Sequence, residues 1–132
     1  MVVLDGKKTA QDLKEEIKIS VSKIKECGLR PPHLAAVLVG NDGASLTYVG
    51  SKVRSCDYVG FDSTLIRLDE NITEALLLKK IEELNQDELL DGYIVQLPLP
   101  KHIDEEKILL AIDPKKDVDG FHPYNFGRMA LE

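Results

Sequence analysis

The chain has 132 residues, a net charge of -6, 43% hydrophobic residues and 30% charged residues, which suits one compact domain and excludes a disordered or low-complexity chain. Lysine and arginine are scattered among carboxylates, and the longest apolar runs are about six residues, far below the ~20 that a membrane span needs. We therefore expect a cytoplasmic protein with neither a nucleic-acid partner nor a membrane partner.

Helical and extended patterns alternate along the chain. Thr9 and Asp12 resemble a capping box, and apolar residues at helical spacing predict a first helix over roughly 9–27. The continuous apolar run after it predicts a strand buried on both faces. The later predicted elements are strand 34–39, turn 41–43, helix 44–59, strand 61–68, helix 73–85, strand 92–97, helix 104–112, a loop over 113–124 and helix 125–131.

The β-α-β-α-β order predicts a mainly parallel sheet, because parallel neighbours need crossovers and each crossover here contains one helix. The expected fold class is a three-layer α/β fold with helices on both faces. In such folds ligands bind outside the carboxyl ends of the strands. Three stretches are expected to meet there: 40–52, 96–100 and 117–120.

Tyr48 and Lys52 lie four residues apart, so both project from one face of the second predicted helix, with Ser45 one turn earlier. This face is either a solvated helix side with a snorkelling lysine or one wall of the crevice. Gln96 ends an apolar strand just before two prolines that stiffen the backbone. A buried amide there needs either a polar neighbour or a nearby backbone group.

Asp117 and Asp119 allow three interpretations: a metal loop, a catalytic carboxylate, or a turn whose side chains accept backbone hydrogen bonds. An EF-hand starting at Asp117 would need a glutamate where the sequence has Arg128. Neither nearby histidine has a partner at metal-ligand spacing. No metal site is therefore predicted.

These stretches resemble the amino-terminal catalytic domain of the bifunctional methylenetetrahydrofolate dehydrogenase and methenyltetrahydrofolate cyclohydrolase family. The resemblance covers essentially the whole chain, from LDGK at 4–7 through YVGSK at 48–52. Its most specific motifs are GYIVQLPLP at 92–100 and KDVDGFHP at 116–123. It implies one catalytic, folate-binding domain over residues 1–132, without the family's carboxyl-terminal NAD(P)-binding Rossmann domain.

The resemblance also assigns roles to single residues. It implies that Lys52, Gln96 and Tyr48 are catalytic, with Lys52 as the catalytic lysine and Tyr48 stacking on the aromatic system of the folate. It implies that Gln96 contacts Lys52 and fixes it in place, and that Asp119 binds the pterin ring. The residues implied to bind substrate are Tyr48, Lys52, Val95, Gln96, Leu97, Pro98 and Asp119.

The implied chemistry agrees with these residue types. A lysine ammonium is a poor base at neutral pH, but desolvation beside a cationic methenyl-folate favours its neutral form. Lys52 would then assist proton transfer as water attacks the C1 bridge. The Asp119 carboxylate would accept hydrogen bonds from the paired N–H donors of the pterin. The implied reactions are oxidation of 5,10-methylenetetrahydrofolate with NADP or NAD and hydrolysis of 5,10-methenyltetrahydrofolate to 10-formyltetrahydrofolate.

No glycine fingerprint follows any predicted strand, so the resemblance places the NADP or NAD site in the absent domain and implies no cofactor for this chain. The chain alone is expected to lack hydride transfer and to hydrolyse weakly or not at all, because the family's folate cleft lies between two domains. The implied partners are tetrahydrofolate derivatives. The full-length enzyme is expected to be a homodimer, and a monomer is plausible for this fragment.

An alternative interpretation is a non-catalytic α/β module that binds a small anion in the same crevice. Segment 40–45 would place an anion at a helix N-terminus, but it lacks the Gly-Lys-Ser/Thr ending of a P-loop, and Asp42 would repel a phosphate. The two interpretations differ at Lys52. A binding module tolerates Lys52→Arg, whereas a proton-transferring lysine does not.

Overall fold

The computed structural model describes residues 5–41 and 43–131, with only the backbone given for Ala44. Leu4, in the first family motif, and Asp42, in the predicted turn, lie outside the described residues. No helix in the described ranges is both long enough and apolar enough to cross a membrane. The elements are α1 (Gly6–Glu26), β1 (His33–Val39), α2 (Gly43–Val59), β2 (Asp62–Leu68), α3 (Glu74–Gln86), β3 (Gly92–Val95), α4 (Glu105–Ala111) and α5 (Pro123–Leu131).

The three strands form one parallel sheet in the order β2-β1-β3. Residues 33–39 of the central strand pair with 62–68 of β2, and residues 34–37 pair with 92–95 of β3. The crossovers contain α2 and α3, as the alternating sequence pattern predicted. The expected three-layer α/β fold is therefore confirmed.

The helices cover the two faces of the sheet unequally. The main core lies between the sheet and the helices α3 and α4, where Leu77, Ile81 and Ile108 are fully buried. On the opposite face, Val49 and Val53 of α2 pack against the sheet in a much smaller cluster. α1 packs on the outside of α2. The second face therefore leaves room for a crevice beside α2.

α1 begins at Gly6 rather than at the predicted Thr9. The helix cap is Asp5, whose carboxylate accepts a hydrogen bond from Lys8 N at 2.9 Å. The Thr9 hydroxyl donates to the Asp5 carbonyl at 3.0 Å and so lies inside the first turn. The predicted capping box was wrong because an aspartate further upstream satisfies the first free N–H groups.

Two other boundaries differ from the prediction by two residues, and the rest differ by at most one. β3 ends at Val95, two residues before the predicted end at residue 97. Gln96 N still donates to Val37 O at 2.9 Å, but Pro98 has no N–H, so the strand ladder cannot continue. α5 begins at Pro123, since the fixed φ of proline suits the first turn of a helix.

Candidate active site

Helix α2 presents Ser45, Tyr48 and Lys52 from one side. Their spacing of three and then four residues places them on one face, while Val49 and Val53 point to the sheet. Ser45 is buried, Lys52 is half-buried and Tyr48 is 66% exposed. An exposed tyrosine ring beside a half-buried lysine leaves a surface against which a flat ligand could stack.

α2 contacts both of the other predicted stretches. The Ser45 hydroxyl donates to the Leu97 carbonyl at 3.4 Å, near the amino end of the helix. Two turns later, Lys52 Nζ donates to Asp119 Oδ2 at 3.5 Å. The structure therefore brings the three stretches together along one helix. The side chains of Lys52 and Asp119 remain 40% and 32% exposed, so the pair lies at a surface accessible to a ligand.

Gln96 directly precedes Leu97 and does not hydrogen-bond to Lys52. Its Nε2 donates to the Leu97 carbonyl at 2.8 Å. Because a carbonyl oxygen only accepts hydrogen bonds, the amide nitrogen must face Leu97, and Oε1 must face away from it. Gln96 Oε1 is buried and has no hydrogen-bond partner among the described residues. The predicted contact between Gln96 and Lys52 is therefore not formed here, and the role assigned to Gln96 stays a prediction.

The backbone after Gln96 is held from two sides. The Leu97–Pro98 peptide bond is cis. Ser45 contacts the Leu97 carbonyl, and Leu99 N donates to Glu105 Oε1 at 2.8 Å on α4. Sequence reasoning did not identify Glu105, because nothing in the sequence places the first turn of α4 next to this segment.

Pro98 and Val95, two of the predicted substrate-binding residues, differ in which of their atoms are accessible to a ligand. Pro98 is exposed, next to the half-buried Leu97. Val95, in contrast, is buried in the core against α3 and α4. Only the main chain of Val95 is therefore available to a ligand, whereas Pro98 can present its ring.

The two aspartates of the 117–120 turn have different environments. Asp117 accepts three hydrogen bonds from its own loop and from α5: from Gly120 N at 3.0 Å, from His122 N at 2.9 Å and from Asn125 Nδ2 at 3.0 Å. Among the described residues, Asp119 has only the long ion pair with Lys52. Of the interpretations that the sequence left open, a turn former fits Asp117. In the described part of the chain, no group of three or more His, Cys, Asp or Glu side chains is arranged to hold a metal ion.

A cavity of about 380 Å³ lies directly beside the ion pair. Its walls include Ile94 of the sheet and Val53 and Cys56 of α2, and Lys52 and Asp119 contribute to its lining. Burial raises the pKa of the Cys56 thiol, since a thiolate would lose its hydration there. One side of the ion pair therefore faces an apolar environment.

Comparisons with known proteins agree with the geometry. A family model described as the tetrahydrofolate dehydrogenase/cyclohydrolase catalytic domain matches residues 4–119. The chain is 74% identical over 132 residues to the bifunctional protein FolD of Flavobacterium johnsoniae, covering 100% of this chain and 45% of the relative. It is 61% identical over 131 residues to that of Cytophaga hutchinsonii, covering 99% of this chain and 45% of the relative. The chain thus spans less than half the length of these relatives.

Solved structures give the same result. The bifunctional enzyme FolD from Campylobacter jejuni is 46% identical, with a TM-score of 0.94, and the match covers 99% of this chain and 46% of that one. FolD from Trypanosoma brucei, solved with NADP cofactor and inhibitor, is 33% identical with a TM-score of 0.91, and the match covers 98% of this chain and 44% of that one. The described fold is therefore shared with these enzymes over nearly its whole length.

Proposed function

Because the chain belongs to the tetrahydrofolate dehydrogenase/cyclohydrolase catalytic domain family, we propose that it acts on one-carbon tetrahydrofolates. It would supply the folate-binding, proton-transferring part of an enzyme that oxidises 5,10-methylenetetrahydrofolate and hydrolyses 5,10-methenyltetrahydrofolate to 10-formyltetrahydrofolate. The observation that carries this proposal is the position of Lys52, 3.5 Å from Asp119 at the edge of an apolar cavity.

The ion pair suggests how substrate would engage the site. Asp119 holds the Lys52 ammonium through one carboxylate oxygen, at a distance long for a charge-assisted hydrogen bond. The paired N–H donors of a pterin would compete for this carboxylate and release Lys52. After the Lys52 ammonium has passed its proton to solvent, the neutral amine would accept a proton from water as that water attacks the C1 bridge. Tyr48, exposed one turn away, would stack on the folate ring system.

Gln96 supports the same proposal through its unsatisfied oxygen. A buried acceptor without a donor costs about 1–3 kcal/mol, so the arrival of any donor at Oε1 is favourable. The Lys52 side chain, once released from Asp119, would be such a donor, because even the neutral amine carries N–H groups. Gln96 would therefore hold Lys52 only when substrate occupies Asp119.

The nicotinamide cofactor of the proposed dehydrogenase does not fit the residues of this chain. The turn between β1 and α2 carries Gly40 and Gly43 but no third glycine of a dinucleotide fingerprint. Glu70 packs over Gly40, with its Cβ 3.2 Å from the place where a Cβ on Gly40 would lie. This acidic neighbour also disfavours the alternative of a small-anion module. NADP or NAD would bind to the part of the complete enzyme that lies beyond this chain.

The proposal is tested by Lys52→Met in the complete enzyme. Hydrolysis of 5,10-methenyltetrahydrofolate, followed by loss of its absorbance, should fall by about 100-fold or more, as expected when a proton-transfer group is removed. Binding of the same compound, measured by calorimetry, should persist. Lys79→Met, on the exposed side of α3, is the matched control and should leave both quantities unchanged.

Full hydrolysis by the Lys52→Met enzyme would remove Lys52 from the mechanism. If Lys52→Arg fully retains ligand binding and biological function, a binding module is favoured instead, because an arginine supplies the positive charge but does not give up its proton. We further propose that the complete enzyme is a cytoplasmic homodimer, which sedimentation and cell fractionation would check.

A further inference from the structure

We infer that Asp117 is a positioning residue, which holds the turn that presents Asp119 to Lys52 without itself touching substrate. This inference deepens the proposed function and rests on it, since it assigns Asp117 a purpose in folate binding. The structure places Asp117 two residues before Asp119, with its carboxylate turned into its own loop.

The hydrogen bonds of Asp117 hold the part of the turn that follows Asp119. Asp117 Oδ1 accepts a hydrogen bond at 3.0 Å from the backbone N–H of Gly120, which directly follows Asp119. Oδ2 accepts from His122 N at 2.9 Å and from Asn125 Nδ2 at 3.0 Å. Asp119 therefore lies between Asp117 and Gly120, the first residue hydrogen-bonded to the Asp117 carboxylate, which limits where its own side chain can point.

Only an aspartate satisfies this arrangement. Both of its oxygens accept, whereas an asparagine would turn an NH₂ group toward at least one of the three N–H donors. A longer glutamate could not accept from Gly120 N, only three residues away, without rebuilding the turn. The carboxylate is thus required by the loop geometry.

The other side of the turn is fixed against β3. Tyr93 N donates to Lys116 O at 2.9 Å, and Tyr93 and Asp117 form a parallel bridge. Gly92 makes this close approach possible, since a Cβ there would lie 2.5 Å from Val118 Cγ2 and 3.3 Å from Lys116 O. The segment before Asp119 is therefore held by the sheet, and the segment after it is held by Asp117.

Asp91 provides a matched control for a purely structural role. It also accepts three hydrogen bonds, two from the Arg30 guanidinium at 2.6 and 3.0 Å and one from His33 N at 2.8 Å. It precedes β3 and lies at the amino end of the sheet, where no predicted site residue lies. Asp91→Asn should lower stability and leave catalysis by the folded protein unchanged.

The experiment is a double-mutant cycle in the complete enzyme, with kcat/KM for hydrolysis of 5,10-methenyltetrahydrofolate as the readout. Asp117→Asn should lower kcat/KM by about 10-fold through the misplaced Asp119. In an Asp119→Asn background it should cause no further loss, because a positioning residue acts only through the group it positions. Asp91→Asn should leave kcat/KM unchanged in both backgrounds.

A milder variant covers the case in which Asp117→Asn does not fold. Asn125→Ala removes one of the three donors and keeps both backbone hydrogen bonds to Asp117. It should lower kcat/KM by about 3-fold, again only when Asp119 is present. Independent losses that multiply in the double variants, or a wild-type kcat/KM for Asp117→Asn, would overturn the inference.

A second readout needs no catalysis. Made as a single change, Lys52→Met should shift the NMR resonance of the Asp119 carboxyl carbon, because the ion pair is lost. In the Asp117→Asn protein, or in Asn125→Ala, this response should shrink, since Asp119 no longer faces Lys52. An undiminished response would overturn the inference by itself. An inactive wild-type enzyme that gives the expected resonance shifts would count against the proposed function and leave the positioning role supported.

Discussion

Two half-buried amides, those of Asn85 and Gln96, have opposite hydrogen-bond environments. Asn85 of α3 donates to Ala111 O at 2.8 Å and accepts from Tyr93 Oη at 2.7 Å and Asp113 N at 2.9 Å. Gln96, just after β3, makes one side-chain hydrogen bond, to Leu97 O, and its Oε1 has no partner among the described residues. The first amide joins three elements of the fold, and the second keeps an unused acceptor at the crevice.

The carboxylates differ in the same way. Asp91, at the amino end of the sheet, has three close donors, whereas Asp119 has one lysine at 3.5 Å. Groups that stabilise the fold are fully hydrogen-bonded, as buried polar groups usually are. Groups that are left partly satisfied mark where a ligand would complete them. Saturation of hydrogen bonds, more than residue type, therefore separates the framework from the candidate site.

The largest effect is expected when the saturated amide is removed. Asn85→Leu leaves Ala111 O, the Tyr93 hydroxyl and Asp113 N without their partner, and each orphaned group costs about 1–3 kcal/mol. Burial raises the pKa of Tyr93, so its hydroxyl stays a donor in need of an acceptor. The free energy of unfolding, measured by urea denaturation, should fall by about 4 kcal/mol.

Gln86→Leu is the control for this change. Gln86 is the next residue of α3 and is exposed, and its side chain donates to Glu82 Oε1 of its own helix and to no other group in the described part of the chain. Its loss should alter the free energy of unfolding by less than about 0.5 kcal/mol. Equal stabilities for the Asn85 and Gln86 variants would show that the amide network does not stabilise the fold.

The next effect concerns the junction of framework and site at Gly92. In Gly92→Ala the new Cβ would lie 2.5 Å from Val118 Cγ2, and such overpacking costs about 1–3 kcal/mol. Because Val118 precedes Asp119, binding of 5,10-methenyltetrahydrofolate by the complete enzyme should weaken as well. Calorimetry and urea denaturation measure the two losses.

The rescue variant makes this prediction specific. Val118→Ala removes the clashing Cγ2, and the side chain of Val118 is 50% exposed, so the change alone should be mild. Gly92→Ala combined with Val118→Ala should recover most of the binding. If the double variant binds no better than Gly92→Ala, the clash with Val118 is not the cause of the weaker binding, and the carbonyl of Lys116 becomes the remaining contact.

Much of this arrangement follows from the sequence, and the missing parts have a physical reason. Apolar runs predicted the strands β1 and β3, whose residues are mostly buried, and helical spacing predicted the crossover helices. The spacing of Tyr48 and Lys52 predicted a shared face. The pattern could not say that Gln96 would bond its own neighbour, since an amide at a strand end can turn either way.

The pair Asp117 and Asp119 shows the same limit. Two aspartates two residues apart in a turn are indistinguishable in sequence, because loop backbones lack the fixed period that assigns faces in helices and strands. Only the coordinates show that one accepts from its loop and the other faces Lys52. Similarly, the contact of Leu99 with Glu105 depends on how α4 returns to the sheet, which no local pattern encodes.

A smaller and pH-dependent effect is expected at the saturated carboxylate. The Arg30 guanidinium, and to a lesser degree His33 N, lower the pKa of Asp91 below its ordinary value, so its stabilisation is complete above the unfolded-state pKa near ~4. It is lost as the pH falls through the lower folded-state pKa. At pH 7, Asp91→Asn should reduce the free energy of unfolding by about 1 kcal/mol, a modest value because solvent screens this 44% exposed pair.

Urea titrations of both proteins between about pH 7 and pH 2 would test this. The stability difference should shrink toward acid, because the protonated wild-type side chain no longer carries the charge that Arg30 binds. A difference that stayed constant down to the lowest pH would mean that the hydrogen bond from His33 N, rather than the charge, stabilises the fold.

The smallest effect on stability is expected at the unsaturated amide. Gln96→Leu removes a buried acceptor that has no partner, which is favourable, and loses one hydrogen bond to Leu97 O, which is unfavourable. Leu97 O still accepts a hydrogen bond from the Ser45 hydroxyl at 3.4 Å, so the substitution leaves no polar group without a partner there. The free energy of unfolding should change by less than about 0.5 kcal/mol, whereas hydrolysis of 5,10-methenyltetrahydrofolate by the complete enzyme should fall by about 100-fold. Strong destabilisation by Gln96→Leu would place Gln96 with Asn85 in the framework and remove the contrast between the two amides.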